Sequence, residues 1–398
     1  MARHLLIAAG PGEWRAALLD AGAAVELHVE RGDRAEAASI HLGRVRQLVP
    51  ALGAALVDIG ADRPVFLPQR EIAPRGKLLR EGERVVVQIR REAQGSKAAR
   101  VTMKAPPTPT AAAEGWNNVL DRAARLDPPA RLHPIATFAA ALASALPGAP
   151  DHIFVDDPAA IIDIRAAFPD AAAEQRPETE WPIELDAVFA EALAETLTLP
   201  GGGRAHFEAT RAGVMIDIDS GTPETGSPER TGLAANLAAA ALVARQIPLR
   251  NLGGGIVVDF VGLDSRAARE KVRSALADAL APDPAGPRIL GWTRLGHLEL
   301  VRPRRGRPLA EALLERRPDG ALVKTAVTVA HEALRALRRE ARAQPGRQWR
   351  LVVAPEVAAS LSGSAASAVR FAEERFARKI AIEGEHGCER ERFEILAL

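Results

Sequence analysis

The chain is nearly without cysteine, and this absence is the first constraint on what it does. Cys388 is the single cysteine in 398 residues, so no intrachain disulfide forms and no thiolate-rich metal site exists. That usage fits a reducing compartment, and a cytoplasmic location is expected. Tyrosine is absent and aromatic residues make up 4% of the chain, so any stacking on nucleobases falls to a few side chains. The formal net charge is +1. The molecule is therefore no polycation, and contact with nucleic acid has to come from local patches. The opening segment Met1-Ala-Arg-His-Leu-Leu-Ile-Ala-Ala-Gly10 has too short an apolar run for a signal peptide. No apolar stretch reads as membrane-spanning, and no membrane partner is expected. The histidines are scattered, with neither His-x-x-x-His nor Cys-x-x-Cys spacing, which argues against zinc. Gly201-Gly-Gly-Arg204 and Gly253-Gly-Gly255 lack the Lys-Ser/Thr of a phosphate loop and the spacing of a dinucleotide fingerprint, so both read as turns. There is no Gly-x-Ser-x-Gly elbow for a serine nucleophile.

What is present is long enough for two or more domains. Residues 1–34 read as strand, helix (Glu13–Ala21) and strand. Residues 35–104 read as five short strands, Ile40–Arg46, Ala54–Ile59, Val65–Pro68, Arg84–Arg90 and Arg100–Met103. Their close spacing, with Gly43, Gly53 and Gly60 at the bends, predicts a small closed barrel. A Pro/Ala/Thr linker occupies 105–115, followed by an Ala-rich helical stretch to about 148. Residues 152–198 alternate a strand with helices. Residues 204–300 read as a mixed sheet with one helix, Leu233–Ile247, capped by Thr231. An Arg-rich helical region at 310–343 precedes a terminal strand–helix–strand unit. No internal repeat is evident.

The chemistry centres on Gly213-Val-Met-Ile-Asp-Ile-Asp-Ser-Gly221 and Gly253-Gly-Gly-Ile-Val-Val-Asp-Phe260. In a strand, Asp217 and Asp219 share one face while Val214, Ile216 and Ile218 share the other. Asp259 ends a second apolar run. Clustered carboxylates repel one another unless a hard cation joins them, and Mg²⁺ takes such oxygen ligands. This arrangement suits phosphodiester chemistry. A lone aspartate at a strand end more often closes a turn. The Val/Ile runs preceding Asp217 and Asp259 favour the functional reading for that pair, whereas Asp219 reads equally as a ligand or a turn cap. On the barrel, Arg44 and Arg100 lie at strand ends and Phe66 is an aromatic platform or a core residue, with the pattern even between the two. Arg302-Pro-Arg-Arg-Gly-Arg307, with Arg294 upstream, reads as a phosphate clamp or a solvated face.

Taken in order, these segments resemble the RNase E/G endoribonucleases along nearly the whole chain. Gly43-Arg-Val45, Ala54-Ala-Leu-Val-Asp-Ile-Gly60, Phe66-Leu-Pro68 and Gly95-Ser-Lys-Ala-Ala-Arg-Val-Thr102 resemble the family's inserted RNA-binding barrel. Met215–Gly221, Asn236–Gly254, Ile256–Phe260 and Thr293-Arg-Leu-Gly-His-Leu-Glu-Leu300 resemble its catalytic core. The resemblance implies an α/β composite. An RNase H-like subdomain (1–34 and 151–198) would carry an OB-type barrel (35–104) and a linker with a reduced 5′-sensor remnant (105–150). A DNase I-like catalytic subdomain (199–310) and a small C-terminal α/β domain (311–398) would follow. It implies Mg²⁺ on Asp217 and Asp259, with Mn²⁺ as a substitute, and a phosphate-orienting role at Asp219, where the family carries Asn. It also implies an RNA grip by Phe66 and Lys97, to which the residue pattern adds Arg44, Arg100, Arg294, Arg302 and Arg304 as expected phosphate contacts. Leu56 replaces a second aromatic of the family. The 105–150 segment is shorter than the family's 5′ sensor and lacks its Arg-Thr motif. The Cys-Pro-x-Cys zinc link is missing, so no zinc-linked oligomer is expected and the oligomeric state stays open. The expected activity is Mg²⁺-dependent endonucleolytic cleavage of single-stranded RNA in processing or decay, without 5′-monophosphate sensing. An RNA-binding protein of the same family with lost or weak catalysis is the alternative, and a scaffold that recruits proteins is a third reading.

Overall fold

A computed structural model describes residues 3–31, 39–61, 63–91, 98–104, 116–132, 137–146, 148–221, 228–263 and 265–398. The chain divides into two compact units, one formed by Arg31–Thr137 and the other by Met1–Glu30 with Phe138–Leu398.

The unit Arg31–Thr137 is the expected barrel. Strands Ile40–Val49, Ala54–Asp58, Val65–Pro68, Arg100–Thr102 and Arg84–Arg91 pair in that order, and the last pairs again with the first to close the ring. Alternate residues (Val45, Ala55, Val57, Val65, Leu67, Val85, Val87, Ile89 and Val101) fill the interior. Gly43 shows why the ring needs a glycine. A Cβ there would lie 2.5 Å from Val57 and 2.7 Å from the Asp58 carbonyl oxygen. His41 is buried beside this core, with Ser39 Oγ 2.9 Å from its Nε2. Burial, reinforced by Arg131, lowers its pKa from 6.5 to about 4.

In the larger unit a first sheet runs Ala172–Gln175, His152–Val155, His4–Ala9, Glu13–Asp20, Ala23–Arg31. His4–Ala9 is parallel to His152–Val155 and antiparallel to Glu13–Asp20. The segment expected to be a helix from Glu13 is thus a strand. Ala21 and Gly22 both take positive φ, 49° and 82°, which makes a two-residue turn that folds the chain back as a hairpin. The strand is covered on both sides: Trp14, Ala16 and Leu18 join one cluster, Ala17 and Leu19 another. Two-sided burial overrides the helical preference of Ala-Ala-Leu-Leu.

The second sheet orders Thr196–Thr198, Arg204–Ala209, Val214–Asp219, Gly254–Asp259, Leu298–Arg302, Arg288–Trp292. Its apolar face packs on helices Pro228–Leu249 and Arg266–Leu280. The first helix starts at Pro228, so Thr231 lies inside it rather than capping it. Its Gly232–Leu249 stretch is the one described segment long and apolar enough to cross a bilayer, which the sequence reading did not anticipate. Here Ala239, Ala240, Val243 and Ile247 are buried against the sheet. The second helix was not expected. Ser265 caps it, accepting from the Ala268 N–H at 3.0 Å, and Ala268, Val272, Leu276 and Leu280 repeat every four residues as its buried stripe.

At the C-terminus a sheet of Ile380–Gly384, Trp349–Val353 and Phe393–Ala397 packs on helices Ala326–Ala343, Pro355–Ser362 and Ala366–Phe376. Helix Ala326–Ala343 is fastened to the first sheet by buried charges. Glu13 is fully buried between Arg15, whose Nε is 2.9 Å away, and Arg335. Arg338 meets Asp156, and Arg375 reaches Asp157 at 2.6 Å. Burial and the neighbouring Arg15 push Arg335 down to about 10.

Glu13→Ala leaves two buried guanidinium groups facing each other and is expected to cost about 3–5 kcal/mol, read from the denaturant unfolding midpoint. For His41 the unfolded state binds the proton more tightly. Its neutral form therefore supports the fold fully above pH 6.5, and that support is lost as pH falls from 6.5 toward 4. A barrel transition that drops over this range in the wild type, and drops less in His41→Gln, is the expected result of thermal melts at stepped pH.

Candidate active site and nucleic-acid groove

Strands Val214–Asp219 and Gly254–Asp259 are parallel neighbours, and Asp217 stands directly opposite Asp259. Residues in register across adjacent strands point to the same face, about 4.8 Å apart at the backbone. Ile216, Ile218, Ile256 and Val258 go down into the core, so both aspartates go up to the uncovered face. Asp217 is exposed and the Asp259 side chain is about half accessible, at 48%. Asp217 is thus more open than its apolar flanks imply, whereas Asp259 is half-buried. Ile216 and Ile218 belong to the other face, and Met215, on the face of Asp217, is itself 38% exposed.

The register also assembles a row that sequence spacing concealed. Thr196 opposes His206, His206 opposes Asp217, and Asp217 opposes Asp259. His297, just before the next strand, places Nε2 3.4 Å from Asp259 Oδ2. His206 Nδ1 lies 2.9 Å from Thr196 Oγ1. Two of the histidines that looked scattered therefore flank the acidic pair. For His206 the sequence offered only its place within the 204–300 stretch read as a mixed sheet, and its pairing with the Asp217 strand comes from the structure. His297 gave none, because its position depends on an antiparallel partner 38 residues away.

Asp219 shares the face but continues past the end of the pairing with Gly254–Asp259. Its Oδ1 accepts from the Gly221 N–H at 2.9 Å, which makes it the cap of the following turn, the second of the two roles open to it. Among the described residues no group of three or more His, Cys, Asp or Glu side chains is arranged as a metal cage. Two exposed carboxylates nevertheless suit Mg²⁺, which commonly binds one or two carboxylates and fills its shell with water and substrate phosphate. The two carboxylates themselves offer oxygen donors, which suit a hard ion.

The arginines separate. Arg294 is exposed in the turn Thr293–Gly296, beside His297, and no partner is described for it. Arg304 lies over Gly253 and Gly254, its Nε donating to the Gly253 carbonyl at 3.3 Å. The glycines that read as turns are thus the seat for this side chain: a Cβ at Gly253 would come within 2.8 Å of Arg304 Cγ. Arg302 corrects the expectation of a phosphate clamp. Its side chain is 1% exposed and grips Asp283 with two hydrogen bonds, Nε–Oδ2 at 2.6 Å and Nη2–Oδ1 at 3.2 Å. Its remaining terminal nitrogen donates to the Leu252 carbonyl at 2.8 Å. The alternation of its strand sends it inward with Leu298 and Leu300.

In the barrel unit Phe66 stays out of the interior cluster. With Arg100, whose guanidinium carbon sits 5.7 Å from the ring centroid, it lines an open groove of about 980 Å³. Arg70, Arg75, Lys77 and Lys104 surround the same groove. None of these four was singled out, since surface bases carry no periodic signal. Arg44 lies outside this lining and donates to the Gly82 carbonyl at 3.1 Å. Lys97 lies outside the described residues.

Arg302→Ala leaves Asp283 buried and unpaired, so a loss of about 3–5 kcal/mol is expected. The folded fraction of that variant should bind RNA as the wild type does, measured by thermal denaturation alongside filter binding.

A family model described as the Ribonuclease E/G family matches residues 76–305, more than half of the chain. Ribonuclease G of Salmonella typhimurium (strain SL1344) is 25% identical over 491 aligned positions, covering 100% of both chains. Ribonuclease G of Escherichia coli (strain K12) is 24% identical over 489 positions, again covering 100% of each. Ribonuclease E of Escherichia coli (strain K12) is 27% identical, with 94% of this chain and 44% of that protein aligned. Because the match runs through both the barrel and the acidic sheet, the chain belongs to the ribonuclease E/G family.

Proposed function

We infer that this endoribonuclease hydrolyses single-stranded RNA in processing or decay, with Asp217 and Asp259 holding one divalent ion, Mg²⁺ or its substitute Mn²⁺. The observation that carries the reading is the parallel register that sets these two carboxylates side by side on an open face. A bound ion supplies Lewis-acid neutralisation of phosphate charge and activation of water. The protein's own part is to hold the two acids rigidly, which avoids reorganisation during the reaction. His297 steadies Asp259 from the neighbouring strand. The exposed Arg294 on the adjoining turn offsets the repulsion between incoming phosphates and the acidic face. Phe66, with Arg100 above it, offers a stacking platform for a base, and the basic side chains around that groove follow the backbone.

On this reading the barrel is of OB type. The sheet containing His4–Ala9 is the RNase H-like part, and the sheet containing the acids is the DNase I-like part. The 105–150 segment reads no 5′ monophosphate, and no zinc links subunits. A second reading, an RNA-binding protein with weak catalysis, draws on Asp219, a third carboxylate on the face that a phosphate must approach.

Asp217→Asn and Asp259→Asn should each slow cleavage of a single-stranded oligoribonucleotide by roughly a thousandfold, with circular dichroism and RNA affinity unchanged. Chelation should abolish wild-type cleavage, and added Mg²⁺ should restore it. Full cleavage by either variant removes the proposed site. Tight binding without any metal-dependent product favours the weakly catalytic reading.

A further inference from the structure

A cavity of about 250 Å³ opens on the C-terminal part of the chain, between the last turns of helices Ala326–Ala343 and Ala366–Phe376. Arg338, Arg342, Arg347 and Arg375 line it, with Trp349 and Phe376 as its apolar wall. Four guanidinium groups around one small space need anions. The carboxylates that meet them are Asp156 and Asp157, both nearly buried. Glu178 is 3.9 Å from Arg338 but shared with Arg339, and burial raises its pKa. The two helix C-termini add about half a negative charge each. With Glu178 assigned to Arg339, which it meets at 3.7 Å, two carboxylates and two half-charges face four guanidinium groups, and about one positive charge is left over.

Arg338 records the imbalance. Its side chain is 4% exposed, yet its Nε is buried with no hydrogen-bond partner among the described residues. A buried guanidinium N–H left unpaired is costly. Burial, then Arg342, Arg339 and Arg375, push Arg338 down to about 9. Arg347 on the rim is exposed, and no partner is described for it. Arginine forks match tetrahedral oxyanions, whose several oxygens accept from more than one guanidinium at once. The volume admits a phosphate group with a small substituent and is below the usual size of a whole-nucleotide pocket.

We propose that the cavity walled by Arg338, Arg342, Arg347 and Arg375 is a binding site for a phosphate group, separate from the acidic sheet. The phosphate comes either from free phosphate or from a phosphorylated RNA end. It would complete the charge balance at the point where helix Ala326–Ala343 is fastened to the first sheet, so occupancy should also raise the melting temperature of the chain.

The test is isothermal titration of the full chain with inorganic phosphate at low ionic strength, with three variants beside the wild type. Arg347→Ala and the pair Arg342→Ala with Arg347→Ala remove exposed bases and leave Arg338 on Asp156, so folding is retained and checked by melting. Asp217→Asn keeps the cavity intact. Binding of one phosphate is expected, weakened about tenfold in the double variant and unchanged in Asp217→Asn. That last result separates this site from the proposed nuclease site, whichever way the cleavage assay falls. Competition with 5′-phosphorylated and 5′-hydroxyl oligoribonucleotides assigns the source. Competition by the phosphorylated strand alone assigns it to an RNA end, competition by neither strand assigns it to free phosphate, and equal competition by both reports internal phosphodiesters and overturns the proposal. Absence of phosphate binding, or equal binding by the double variant, overturns the proposal.

Discussion

The site rests on one pairing, the parallel contact between Val214–Asp219 and Gly254–Asp259. Side chains in a strand alternate with a period of two, so a slip of one residue would send Asp259 into the core and Val258 to solvent. The apolar set Ile216, Ile218, Ile256 and Val258 prevents that slip, because all four are buried on helices Pro228–Leu249 and Arg266–Leu280. Burial of hydrocarbon on one side of the sheet thus fixes where the carboxylates stand on the other. The long crossover between the two strands has a structural reason as well. Parallel strands cannot be joined by a tight turn, and the helix that makes the crossover is the one that covers the sheet.

Much of this was legible in the residues. The alternation of Val-Met-Ile-Asp-Ile-Asp gave the strand and its faces, and the Gly- and Pro-punctuated run from Ile40 to Thr102 gave the barrel. What failed did so for definable reasons. Glu13–Asp20 carries helix-forming residues, and only its two-sided burial and the Ala21-Gly22 turn make it a strand. Arg302 stands in a basic run that looks solvated, and its inward direction follows from strand phase and from Asp283, 19 residues earlier. The partners of His206 and His297 belong to the sheet and not to the local chain. Pairings of this kind are long-range, and local patterns do not encode them.

The buried charges between helix Ala326–Ala343 and the first sheet serve a different purpose from the acids on the open face. Ion pairs removed from water add little net stability over an apolar contact of equal volume, yet they punish any arrangement that breaks them. Glu13, Asp156 and Asp157 each accept a guanidinium from the C-terminal part of the chain. Such contacts specify one docking geometry for that helix. Asp217 and Asp259, by contrast, keep solvent access on the open face of their sheet.

The close seat of Arg304 over Gly253 and Gly254 carries a further consequence. Gly254 holds φ at 96°, a backbone setting that L side chains rarely adopt. The segment after Arg302 therefore acts as a keystone over the entrance to the Asp259 strand. Inheritance across these distant stretches is then expected to be joint: a lineage that enlarges residue 253 has to shorten or redirect residue 304 as well.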